Sequence, residues 1–203
     1  MNTLIPAVVH DVKNRLAELA LRLERQGNAG AETSLVLEAC TRLTELLLAL
    51  RSQSGQLQAN VDSASPSDMI RELVAEYRAM FAGIDITEDG TNAPLFAFYD
   101  VSLVRLALAN AMHNACRHAR SAVRVSAYSD AGFLVFEIRD DGTGFPDNIL
   151  QHALDVPLPV SQTGTGLGLW LAREIAAQHQ LQDRHGDVQL QNAGGACFRM
   201  RLP

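Results

Sequence analysis

Lysine is almost missing from this chain: of 17 basic residues only Lys13 is a lysine, and the rest are arginine. Aromatic residues are sparse as well, at 5%. The three cysteines, Cys40, Cys116 and Cys197, are isolated, odd in number and share no C-x-x-C spacing. That excludes a disulfide framework and a cysteine zinc site, and fits small buried thiols in a reducing compartment. No apolar run reaches the roughly 18–20 residues that span a bilayer, so no membrane segment is expected. The N-terminal stretch MNTLIPAVVHDV has no basic region and meets His10 and Asp11 early. It does not read as a signal peptide, and a cytoplasmic chain is expected. Nor is there a basic stripe: the net charge is −6 and the pI about 5.5. Nucleic acid is therefore not an expected partner.

What is present is an ordinary globular balance, 47% hydrophobic and 20% charged over 203 residues. Such a length suits one large domain or two small ones. Apolar residues at Ile5, Val9, Val12, Leu16, Leu19 and Leu23 step by four and three, a heptad seam. Gly27-Asn28-Ala29-Gly30 breaks it. Val36, Cys40, Leu43, Leu47 and Leu50 repeat it, and Leu35, Leu37, Leu46 and Leu48 widen the face. Two helices joined by a short loop form an αα-hairpin. One hairpin cannot bury so wide a seam, so a homodimer through residues 1–55, a four-helix bundle, is expected.

Residues 56–66 read as a linker in a Ser-, Gln- and Gly-rich stretch that begins at Ser52. A helix over 68–82, capped by Ser67 and Asp68, opens a domain over 67–203. Strand patterns follow at Ile84–Thr87 and Leu95–Tyr99, a long helix over Ser102–Arg117, and a hairpin of Ala122–Ser129 with Phe133–Arg139. Residues 141–164 lack a period and read as a long loop. A helix over Leu167–Gln180 and a closing hairpin, Asp187–Asn192 with Ala196–Leu202, complete a mixed sheet with helices on one face, an α+β fold.

Three clusters carry chemistry. Asn110, Asn114 and Arg117 fall at i, i+4 and i+7 of one helix, on one face. Carboxamide oxygens beside a guanidinium suit a partly hydrated Mg²⁺ with nucleotide phosphates. Asp140-Asp141-Gly142-Thr143-Gly144 directly follows a strand, where a fixed carboxylate can accept from an amino group and glycines let backbone approach a ligand. Gly164-Thr165-Gly166-Leu167-Gly168 enters a helix, whose N-terminus supplies N–H donors for phosphate oxygens. Neither glycine cluster is a Rossmann or Walker A motif.

In this order the clusters resemble the ATP-binding domain of the histidine kinases and of the related gyrase, Hsp90 and MutL ATPases. Asn110–Arg117 looks like the N-box, Asp140-x-Gly142-x-Gly144 like the G1 box and Gly164-x-Gly166-x-Gly168 like the G2 box. His10-Asp11-Val12-Lys13-Asn14-Arg15-Leu16 is similar to the H-box of the phosphotransfer hairpin. His10 shares a helix face with Pro6, Asn14 and Ala17, on the flank of the seam. The resemblance implies an N-terminal dimeric bundle followed by an α/β-sandwich of the Bergerat type. It also implies ATP and Mg²⁺ as cofactors, with Asn114 on the metal, Asp140 on the adenine amino group, and phosphates near Gly164, Thr165, Gly166, Leu167 and Gly168. His10 would take the phosphoryl group, Asp11 its proton, and Asn14 would place a water for dephosphorylation. A response-regulator receiver domain is the implied partner. The sequence departs from the family where Arg15 stands at the H-box proline, where no Lys or Arg occurs between Phe145 and Thr163, where His118 stands for an aromatic, and at a small insertion over His179–His185. A non-catalytic phosphotransferase and an anti-sigma-type serine kinase are the competing readings.

Overall fold

A computed structural model describes residues 31–152, 155 and 167–203, with side chains at 39, 42–151, 155 and 167–203. The chain divides into two compact units, Met1–Leu57 and Gln58–Pro203. In the first unit helix α1 spans Ala31–Gln53. It stops where Gly55 turns to φ +68° and the Gln56 N–H reaches back to the Arg51 carbonyl at 2.8 Å. Such a left-handed glycine commonly ends a helix. Of the seam positions, Leu47 is buried and Leu43 and Leu50 are half-buried. The first expected helix, with His10, Asp11 and Asn14, lies outside the described residues, as do Gly164, Thr165 and Gly166.

The second unit runs β1 (Asp62–Ala64), α2 (Pro66–Met80), β2 (Asp85–Asp89), β3 (Ala97–Tyr99), α3 (Val101–His118), β4 (Ala122–Asp130), β5 (Phe133–Asp140), α4 (Asp147–His152), α5 (Gly168–Ala177), β6 (Gln180–Leu181), β7 (Arg184–His185), β8 (Asp187–Asn192) and β9 (Ala196–Leu202). Three details differ from the sequence reading. Ser65, not Ser67 or Asp68, caps α2: its hydroxyl accepts the Asp68 N–H at 3.3 Å, and Pro66 takes the first helical position. A proline there loses no intrahelical hydrogen bond, so the helix starts two residues early. Strand β1 falls in the expected linker and pairs antiparallel with β3. A six-residue helix, α4, occupies part of the expected loop.

The main sheet has the order β2-β4-β5-β9-β8, with β2 parallel to β4 and all other pairs antiparallel. Register puts Val123, Val125, Ala127, Phe136, Ile138, Phe198 and Met200 on one face, all buried. Helices α2, α3 and α5 supply the matching apolar stripes, including Leu73, Val74, Leu108, Met112, Leu171 and Ile175. Fully burying one such side chain contributes about 1.5–3 kcal/mol. Asp140, the last residue of β5, pairs with Val123 and so lies on the helix-covered face, at its edge. The opposite face is charged. There Glu137 accepts from Arg139, Arg199 and the Tyr128 hydroxyl. Burial alone would raise its carboxyl, but the two guanidiniums hold it below the usual range.

His179 joins the two helices that carry the nucleotide motifs. It is 2% exposed and follows the C-terminus of α5. Its Nε2 accepts the Asp100 N–H at 2.9 Å, just before α3, which fixes the neutral tautomer. Nδ1 then donates to the Ile175 carbonyl at 2.9 Å. Burial lowers the ring's affinity for a proton, against smaller opposing effects of the Ile175 carbonyl and the Asp100 carboxylate. A base lowered in the folded state binds its proton better when unfolded. Its contribution is complete above about pH 6.5 and is lost as pH falls below that through the folded value. Thermal melts between pH 7.5 and 5.5 should show a falling Tm, and His179→Gln should remove most of that dependence.

Candidate functional site

Asp100 caps helix α3, its carboxylate accepting the Leu103 N–H at 2.9 Å. That side-chain cap fixes the first turn and with it the register of the helix. Val104, Leu108, Ala111, Met112 and Ala115 face the core. Asn110 is half-buried, whereas Asn114 and Arg117 are exposed one and two turns further along. The Asn110 Nδ2 is buried without a hydrogen-bond partner among the described residues. A buried unpaired donor costs about 1–3 kcal/mol, so it points to a group that binds there. Gly168 opens α5 beside it: a Cβ at Gly168 would lie 3.5 Å from the Asn110 Cβ. The asparagine cluster and the end of the second glycine cluster are therefore neighbours.

Asp140 ends β5. Its Oδ1 accepts two backbone N–H groups, from Gly142 at 2.8 Å and Ala196 at 3.1 Å. No hydrogen bond among the described residues reaches Oδ2, which leaves one oriented acceptor. The turn after Asp140 lies against the end of α3, since a Cβ at Gly142 would come within 2.2 Å of the His118 carbonyl oxygen. Only glycine fits that approach. The same turn brings Asp140 close enough to Cys116 to help raise its thiol to about 11, after the larger effect of burial.

Four residues hold this arrangement. Asp141 is taken up by the chain itself: its carboxylate accepts from the Ser121 hydroxyl at 2.7 Å and from the backbone N–H groups of Arg120, Ser121 and Ala122. Those bonds, the Ser121 hydroxyl foremost, hold it far below the ordinary carboxylate range. Asn192 ends β8 and clasps the backbone of Phe145, accepting its N–H at 2.7 Å and donating to its carbonyl at 3.0 Å. Gly144, at φ +84°, has no room for a Cβ against the Asn192 amide, whose oxygen would lie 2.6 Å away. Gly195 packs on the Asp140 backbone. Sequence reading placed Asn192 and Gly195 only in a closing hairpin. The Gly194-Gly195 pair was the available signal, and the asparagine had none. Asn192→Ala should weaken ATP binding by about tenfold, by releasing Phe145 from the strand end. Isothermal titration against wild type checks it.

The structure thus sets Asn110 beside Gly168 on one stretch of α3 and packs the Gly142 turn, next to Asp140, against the end of the same helix at His118, with Asn114 and Arg117 on that helix. These donors and acceptors fit an adenine nucleotide: an orphaned carboxamide donor, a free carboxylate oxygen, and glycines where a side chain would intrude. Among the described residues no helix is long and apolar enough to cross a membrane.

Comparison with known proteins agrees. The profile of the histidine kinase-, DNA gyrase B-, and HSP90-like ATPases matches residues 99–203. The signal transduction histidine-protein kinase AfsQ2 of Streptomyces coelicolor is 33% identical over 181 residues, covering 83% of this chain and 32% of its own length. A probable sensor histidine kinase, HK, of Mycobacterium tuberculosis is 28% identical over 98% of this chain and 54% of its own length. This chain therefore spans only about a third to a half of these relatives. The crystal structure of full-length ShkA in complex with AMPPNP superposes with a TM-score of 0.72, at 20% identity, over 98% of this chain and 45% of that one. Since the profile covers more than half of the residues and includes both described motifs, the chain belongs to the histidine kinase-, DNA gyrase B- and HSP90-like ATPase family, among its sensor histidine kinases.

Proposed function

We propose that residues 67–203 bind Mg-ATP and phosphorylate His10 on a dimeric helical hairpin over residues 1–55. The phosphoryl group then passes to an aspartate in the receiver domain of a response regulator, in the cytoplasm. The observation that carries this reading is the half-satisfied carboxylate of Asp140. With Oδ1 tied to two backbone N–H groups, Oδ2 is held to accept one donor, as the exocyclic amino group of adenine requires. The orphaned Asn110 amide, beside the opening of α5 at Gly168, supports a ligand on this helix as well. The fold shared with ShkA, solved with AMPPNP, supports the same assignment.

Asn110, Asn114 and Arg117 would face the phosphates and their metal, with Asn114 offering its oxygen to Mg²⁺. When bound, the metal neutralises phosphate charge. Backbone N–H groups of Gly164, Thr165, Gly166, Leu167 and Gly168 would hold phosphate oxygens at a helix N-terminus. An imidazole nitrogen of His10 attacks the γ-phosphorus, ADP leaves, and the ring proton goes to Asp11. Asn14 would position water for dephosphorylation.

The test is incubation with γ-labelled ATP and Mg²⁺. Acid-labile, alkali-stable label that disappears in His10→Ala is the expected result. ATP binding without label would favour a non-catalytic phosphotransferase, a reading that the absence of Lys and Arg between Phe145 and Thr163 makes specific. Acid-stable label on an added protein would favour a serine kinase.

A further inference from the structure

Helix α2 holds the middle of α3 through one hydroxyl. Tyr77 lies in the last turn of α2 and is buried, and its hydroxyl donates to the Ala109 carbonyl at 2.7 Å. In a regular α-helix that carbonyl also accepts the N–H four residues on, so the hydroxyl is an added partner rather than part of the helix ladder. The Ala109 carbonyl belongs to the rigid peptide unit that enters Asn110. Asn110 is the residue whose Nδ2 is buried without a partner among the described residues, beside Gly168. Tyr77 therefore fixes the peptide from which that amide projects.

Aromatic rings repeat the contact one turn further along. The Tyr77 and Phe81 rings stack with centroids 6.0 Å apart and planes at 5°. Phe81 closes α2, with its N–H on the Tyr77 carbonyl at 2.9 Å, and meets the His113 ring edge-on at 5.8 Å and 75°. Both distances fall where aromatic pairs attract beyond simple burial. His113 directly precedes Asn114. Each of the two asparagines thus adjoins a residue held from α2. Tyr77 and Phe81 stand in none of the three sequence clusters.

Helix α2 is itself anchored. Arg78 donates from Nε to the Ile86 carbonyl of β2 at 2.7 Å and pairs with Glu88 at 2.8 Å. Glu76 pairs with Arg105, one turn before Ala109. Burial, foremost, holds the Tyr77 hydroxyl proton far above the ordinary phenol range, and Glu76 and Cys116 add to it against Arg105. The hydroxyl therefore stays a donor at any working pH.

We propose that Tyr77 is a positioning residue, which by holding the Ala109–Asn110 peptide sets where Asn110 and Asn114 stand toward the phosphates and metal of a bound nucleotide. The inference rests on the nucleotide reading above. Contacts to phosphate and metal lose strength with displacements below an ångström. The adenine contact assigned to Asp140 is built on the end of β5 and does not depend on this brace.

Tyr77→Phe keeps the ring and its stack and removes only the hydroxyl. The Ala109 carbonyl retains its helical partner, so no polar group is left orphaned. The full chain, wild type and variant, is titrated by calorimetry with Mg-ATP and with AMP, which keeps the adenine and lacks the β- and γ-phosphates. Mg-ATP should bind about fivefold more weakly to the variant, AMP should bind both alike, and Tm should stay within about 3 °C. Tyr128→Phe makes the same chemical change on the charged face of the sheet, where the hydroxyl meets Glu137, and should alter neither affinity. Equal weakening of Mg-ATP and AMP would make Tyr77 a stabilising residue only, and unchanged Mg-ATP affinity would sever α2 from the asparagines; either result overturns the proposal. Wild type that binds neither ligand would instead remove the nucleotide reading, and this inference with it.

Discussion

Asp140→Asn is expected to lower ATP affinity by about 100-fold while Tm changes by no more than about 2 °C. The substitution is nearly isosteric, and the structure fixes how the new amide must sit. The Gly142 and Ala196 N–H groups both point at Oδ1. Only the carbonyl oxygen of asparagine can satisfy them, so the amide nitrogen takes the place of Oδ2. A nitrogen donor then faces the amino group that the carboxylate oxygen would have accepted. Flipping the side chain only moves the conflict onto two backbone donors. Losing one charge-assisted hydrogen bond and leaving a donor unpaired costs about 2–4 kcal/mol in all. Isothermal titration with ATP beside a thermal melt reads both quantities. Unchanged affinity would remove Asp140 from the adenine contact.

Gly195→Ala should have the second large effect, on stability and binding together. A Cβ at Gly195 would lie 1.9 Å from the Asp140 carbonyl oxygen and 2.7 Å from its carbon. These are backbone atoms of a sheet strand and cannot swing aside as a side-chain tip can. Either the end of β5 or the β8–β9 turn must move. Overpacking of this kind costs about 1–3 kcal/mol, a fall in Tm of about 3–10 °C for a domain of this size. The Ala196 N–H holds the Asp140 carboxylate, so the same shift disorients it, and ATP affinity should fall by at least about tenfold. Gly194→Ala separates the two effects. Gly194 has φ +79° but nothing within 4 Å of an added Cβ. Its cost is conformational, about 1–2 kcal/mol, and ATP affinity should stay at the wild-type value. Differential scanning fluorimetry and titration on the pair decide it: equal losses of affinity would remove the steric link between the turn and Asp140.

Local pattern made most of the second unit legible. The long helix expected at Ser102–Arg117 spans Val101–His118, and the hairpin expected at 122–139 spans β4 and β5. Both have strong periods and clear breakers. Errors fell where the period is short or a cap competes. Ser65, Ser67 and Asp68 are all capping types, and Pro66 decided among them by preferring the first helical position. Helix α4 is six residues long, too short to show a period.

The site divides in the same way. Asn110 and Asp140 could be named because their chemistry is local: a polar face on a helix, a carboxylate at a strand end. Asn192 and Gly195 could not, because what they do is defined by Phe145 and Asp140, 47 and 55 residues away in the chain (192 − 145 and 195 − 140). Asp141, which stands in the middle of the motif, turned out to fasten the α3–β4 connection. Adjacent aspartates look equivalent in sequence, but one ends the strand and the other opens the turn after it.

The sequence alone determined most element types, the mixed sheet and the candidate residues for a nucleotide, because periodicity and side-chain chemistry are properties of short stretches. Tertiary structure decided which oxygen of Asp140 stays free, which glycines have no room for a Cβ, and that His179 ties α5 to the start of α3. Each of these depends on backbone groups from distant strands meeting at distances of a few ångströms, and no local pattern encodes that.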